Sequence, residues 1–139
     1  MQFKFAADNY FIVLDKGESL FDSLYELCRS QKITSAHLSG IGAISDFSLG
    51  YFDCVEKIYQ SKQYDEEYEL LSLQGNISTL DGNPFAHLHA TVSGSDYQVI
   101  GGHLFSAKIA ITCELQLTKL PFKMERLQNS EIGLNLIKF

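Results

Sequence analysis

The first fourteen residues alternate. Phe3 and Phe5 stand between polar neighbours, Asp8-Asn9 can turn, and Tyr10 to Leu14 is rich in β-forming side chains. This pattern predicts a hairpin. Lys16-Gly17 breaks it. Ser19 has the chemistry of a helix N-cap, and Asp22 stands three residues later in a weaker version of the capping box. Leu20, Leu24, Leu27 and Cys28 then recur at helical spacing, with Phe21 and Tyr25 widening the stripe. The stripe predicts one helix packed on a sheet.

Beyond the helix the period drops to two. Ala36 to Ser39 predicts a short strand, followed by a loop at Gly40-Ile41-Gly42-Ala43. Phe47, Leu49 and Tyr51 alternate with Ser48 and Gly50, and Lys57 to Gln63 predicts the returning partner strand. Tyr68 to Leu73 is nearly all apolar, the pattern of a strand buried on both faces. Phe85 to Ser93 and Tyr97 to Phe105 flank the turn residues Gly94-Ser95-Asp96. Ile111, Cys113, Leu115 and Leu117 share one face of the clearest alternation in the chain, and Thr112, Glu114, Gln116 and Thr118 the other. Pro84 and Pro121 fall between apolar segments, where they start or end elements. One helix among many strands predicts an α+β fold with a mainly antiparallel sheet.

Composition narrows the class. The 139 residues suit a single domain over 1–139, with 45% apolar and 20% charged side chains. No apolar run reaches the roughly 18 residues of a membrane span, and no secretory signal is readable. Cys28, Cys54 and Cys113 are odd in number and form no Cys-x-x-Cys pair. They read as small buried apolar side chains in a reduced, cytoplasmic protein. The net charge is −6, and the eleven Lys and Arg residues form no run of three, which argues against strong unaided binding to a phosphate backbone.

The chemistry gathers at "FAHLHATVSG" (Phe85 to Gly94) and "GGHL" (Gly101 to Leu104), which hold three of the four histidines. His87 and His89 project to one side of an extended strand. A three-residue loop at Gly94-Ser95-Asp96 would set Ser93 against Tyr97 and His103 against His87, on the same face. Three neutral imidazoles suit zinc or another transition metal, with an open fourth position as in catalytic zinc sites. The competing reading is a polar seam in which the rings only satisfy hydrogen bonds. Gly101-Gly102 allows close backbone approach beside His103. His37 reads as a partly buried, hydrogen-bonded residue. Gly40-Ile41-Gly42-Ala43 is a turn rather than a phosphate loop. Ser39, Ser72 and Ser93 lie in no nucleophile elbow. Glu66, Glu67 and Glu69 read as a solvated edge, with a general base for metal-bound water as the alternative.

Taken in order, "SGIGAISDFSLGYFD", "YELLSLQGNIS", "HLHATVSG", "VIGGHL" and "ITCELQL" resemble the PPC (plants and prokaryotes conserved) domain over roughly Ser19 to Leu120. The resemblance implies an antiparallel sheet with packed helices, assembled as a homotrimer, in a family whose members are commonly labelled DNA-binding. In the plant members that label rests largely on an Arg-Gly-Arg-Pro AT-hook. These residues contain no such segment and resemble the stand-alone prokaryotic type. The plant Gly-Arg-Phe-Glu-Ile stretch, linked to partner binding, falls on Glu66, Glu67, Tyr68, Glu69 and Leu70, where Glu67 reverses the arginine's charge. The family's His-x-His and Gly-Gly-His pieces fall on His87, His89 and His103. The expectation is a binding or regulatory module, DNA included, with a three-histidine metal or ligand site. A zinc-dependent hydrolase and a purely structural trimer are the alternatives.

Overall fold

The structure, a computed structural model, describes residues 1–139. The N-terminal hairpin forms as expected from β1 (Gln2–Ala6) and β2 (Asn9–Asp15). Helix α1 (Leu20–Ser30) begins at Ser19, whose Oγ accepts from the Asp22 N–H at 3.3 Å. Leu20, Leu24, Leu27 and Cys28 are buried against the sheet. Ser19→Ala removes this cap, and we expect a loss of about 1 kcal/mol, read as a lower urea midpoint at unchanged slope. α1 is the only helix, so the packed helices implied by the resemblance reduce to one.

Two long strands carry the architecture. β3 (Ala36–Asp53) runs through the segment expected to be a loop, and β7 spans Val99–Lys119. Gly40 and Gly42 permit the continuity. A Cβ on Gly40 would lie 2.8 Å from the Glu114 carbonyl oxygen, and one on Gly42 would lie 2.7 Å from Cys113 Cα. Without side chains, β3 presses onto β7 and passes a bulge instead of turning away. β4 (Ile58–Tyr64) pairs with the far half of β3. β5 (Tyr68–Leu80) pairs with β3 on one side and with β6 (Asn83–Ser93) on the other. β6 also pairs with β7, so β3, β5, β6 and β7 close a ring around a continuous apolar core. Closure leaves these strands few free edges.

The register shifts overturn two burial expectations. Between the pairs Gly42–Cys113 and Ile44–Ile109, β7 uses more residues than β3, and Ile111 leaves the core face with 62% of its surface exposed. A second irregularity between Leu70 and Ser72 turns Leu71 outward, 48% exposed, so the start of β5 is buried on one face only. Cys28 and Cys113 are buried, and burial pushes their thiols up to about 11 and about 12, which leaves them protonated and unreactive. Cys54 is exposed in the turn after β3, contrary to expectation. The C-terminal stretch forms a hairpin of β8 (Glu125–Asn129) and β9 (Leu134–Lys138), and β8 docks parallel to the end of β5. No helix is long and apolar enough to cross a membrane.

Candidate metal centre

His87 and His89 alternate with the buried Ala86, Leu88 and Ala90, so period two puts both rings on the side of β6 away from the core. His103 joins them from β7, but opposite His89 rather than His87. The connection runs from Gly94 to Gln98, longer than the three-residue loop expected, with Tyr97 in the left-handed region and Ser93 paired to Val99. The slip amounts to two positions, which preserves the face. Ring centroids lie 5.2 Å apart for His87–His89 and for His87–His103, and 5.5 Å apart for His89–His103. One nitrogen from each ring falls within 4.8 Å of the others.

The backbone is tailored to this approach. A Cβ on Gly101 would lie 2.8 Å from the Ala90 carbonyl oxygen, and one on Gly102 would lie 2.8 Å from that of Gly50. Glycine there brings β7 against both β6 and β3 and sets His103 beside His89. Tyr59 of β4 and Phe105 of β7 pack on the His103 ring at centroid distances of 4.9 and 4.6 Å and restrict its rotation.

Electrostatics favour neutral rings. Burial, with the charges of His87, His89 and Arg126, holds His103 down to about 4. Burial and the Arg126 guanidinium lower His87. Both therefore keep a lone pair at neutral pH, as a metal ligand must. His103 Nδ1 is buried and has no hydrogen-bond partner. A buried ring nitrogen without a partner is costly unless something fills it, and a cation beside three imidazoles fits the donor set. Arg126 Nη2 donates to His87 Nδ1 at 3.3 Å, which places that ring's proton on Nε2. A neutral His87 ring bound to metal at Nε2 would carry this proton on Nδ1 and lose the hydrogen bond from Arg126, and one bound at Nδ1 would displace Arg126.

The depressed values give a pH prediction for metal-free protein. Unfolded imidazoles take up protons near 6.5, while the folded His103 does so only near 4. Between these values the unfolded chain binds more protons, so stability present above 6.5 is lost as pH falls toward 4. Urea midpoints at pH 7 and pH 5 should differ more in the wild type than in His103→Gln.

The other candidates do not join the cluster. His37 is exposed on β3. Glu66 and Glu67 are exposed, and Glu69 pairs with Ser93, four residues along β6 from His89, or roughly 13 Å. Sequence reasoning missed two contributors to the site. Tyr59 gave only a β-strand signal. Arg126 lies in a segment without readable periodicity, and the β5–β8 pairing brings it to the histidines.

Residues 1–121 match the model of the Plants and Prokaryotes Conserved (PCC) domain. Similar solved structures extend the match over the whole chain. A metal-containing protein of Archaeoglobus fulgidus is 36% identical, with a TM-score of 0.90 over 100% of this chain and 99% of that one. A candidate DNA-binding protein of Bacteroides thetaiotaomicron is 31% identical, with a TM-score of 0.94 over 99% and 96%. A plant- and prokaryote-conserved protein of Pyrococcus horikoshii is 30% identical, with a TM-score of 0.87 over 99% and 95%. No curated protein matches the sequence.

Proposed function

The chain belongs to the Plants and Prokaryotes Conserved domain family, and from that premise we propose a binding and regulatory module built on a transition-metal centre at His87, His89 and His103. The convergence of three imidazole nitrogens within 4.8 Å carries this reading. Zinc is the first choice, because a His₃ donor set with open positions suits it. Bound there, zinc would supply a Lewis-acidic position for an incoming ligand. The protein's share is to keep His103 neutral and clamped by Tyr59 and Phe105. Residues 1–139 act as one reduced, cytoplasmic domain in this reading.

Three copies assemble. The support is a sheet face that displays the exposed apolar side chains Phe11, Ile41, Leu71 and Ile111 beside Gln74, Glu114 and Gln116, a grouping of the kind that marks protein interaction sites. Light scattering should return three times the 15.6 kDa chain mass, and Ile41→Lys should lower it. DNA is the partner offered by the description of the Bacteroides thetaiotaomicron relative. With a net charge of −6, binding measured by fluorescence anisotropy should be weak and should fade between 50 and 200 mM salt, by roughly tenfold or more.

The test of the centre is a zinc titration of chelator-treated protein. Saturable uptake of one ion per chain should raise the thermal midpoint, and His103→Gln should abolish the rise. Equal midpoints with and without zinc would leave the histidines a structural seam. A second reading, a metal-dependent hydrolase, is favoured by the cavity that opens beside His87 and His103. It predicts ester or phosphoester turnover that follows zinc content.

A further inference from the structure

Beside the histidines lies a cavity of about 430 Å³, lined by Phe21 and Tyr25 of α1, Tyr59, Phe85, Phe105 and Arg126, together with His87 and His103. Its outer wall is the β8–β9 hairpin, through Leu134 and Leu136. The volume suits a small organic molecule. The lining is largely aromatic and includes no carboxylate.

Arg126 is the unusual member. It is 6% exposed, yet none of the chain's ion pairs includes it. Its acceptors are all uncharged. Nε donates to Ser78 Oγ at 2.8 Å, Nη1 to the Asn135 carbonyl at 2.9 Å, and Nη2 to Asn76 Oδ1 at 3.1 Å and His87 Nδ1 at 3.3 Å. The guanidinium lies 5.0 Å from the Phe85 ring centroid. These contacts orient the group and use four of its five N–H bonds, leaving one on Nη1. They do not supply a counter-charge. A buried cation is normally paired with an anion, because its desolvation costs several kcal/mol. A chain of net charge −6 has nevertheless placed only neutral partners around this one.

We propose that this cavity binds a small organic carboxylate with an apolar, aromatic-sized body, and that Arg126 pairs with its acid group. The aromatic wall takes the body and the guanidinium takes the charge, a division common in ligand pockets. The bound acid would also lie beside the metal centre, whose positive charge adds to the attraction. The pairing with Arg126 stands without that metal, so the inference goes beyond the metal reading and does not depend on it.

Calorimetric titration with phenylacetate tests the inference, on both chelator-treated and zinc-loaded protein, with phenylacetamide as the neutral analogue of the same shape. Phenylacetate should bind both forms. The amide should bind roughly tenfold more weakly or worse, because the charge-assisted hydrogen bond is lost. Arg126→Met keeps much of the side chain's bulk and should remove the preference for the acid. The acid–amide comparison in the wild-type protein decides the matter even if this variant fails to fold. Equal binding of acid and amide, or no binding of either to both protein forms, would overturn the proposal. Binding only to the zinc form that survives Arg126→Met would assign the anion to the metal, overturning the role of Arg126 while sparing the metal centre. Arg126-dependent binding by a protein that takes up no zinc would sustain the proposal and sink the metal reading instead.

Discussion

Replacing His87 and His89 together by alanine should reduce zinc affinity more than roughly 100-fold, since losing an outer hydrogen-bond partner alone costs about 10–100-fold. Two of the three converging nitrogens disappear, leaving His103 as a single imidazole on β7. The fold should survive. Both rings lie on the side of β6 away from the core, and His89 is exposed. Competition against a chromophoric chelator gives the affinity, and a urea melt of the metal-free variant confirms folding. Unchanged affinity in a folded variant would mean that zinc binds elsewhere.

Gly75→Ala should be the most damaging small substitution in the sheet. A Cβ at this position would lie 1.9 Å from the His87 carbonyl oxygen and 2.9 Å from Leu88 Cδ2. The first contact is with backbone, which no side-chain rotation can relieve, so β5 and β6 must move apart. That motion carries His87 away from Asn76, its pairing partner, and from Arg126. We expect a loss of about 3 kcal/mol, at the severe end for an overpacked site, together with weaker zinc binding. Gly82→Ala is the control. It sits in a turn with nothing within 4 Å and φ of +77°, so only the backbone preference of about 1–2 kcal/mol applies. Equal urea midpoints for the two variants would show that the close approach at Gly75 is relieved cheaply.

The elements specified by neighbouring residues were legible in the sequence. The hairpin, the capped helix and the shared face of His87 and His89 follow from local periodicity, which short-range sterics enforce. Features that depend on partners distant in sequence were not. Nothing near Gly40 or Gly42 announces that β7 lies within touching distance, so a continuous strand read as a strand and a loop. The bulges that expel Leu71 and Ile111 are extra residues on one strand of a pair, and only the pairing with the distant partner strand records them. His103 reached the cluster although its partner was misassigned, because a slip of two preserves the face while a slip of one would have lost it. Arg126 is the extreme case. Its surroundings are set by β5 and β9, and its own neighbours, Glu125 and Leu127, carry no trace of the cavity.

The most direct test of the metal centre is elemental analysis of untagged protein purified without chelator. Close to one transition-metal ion per chain, zinc foremost, is expected in the wild-type protein and almost none in His87→Ala/His89→Ala. A wild-type protein that carries no metal, and takes none up when zinc is returned, would sink the metal centre.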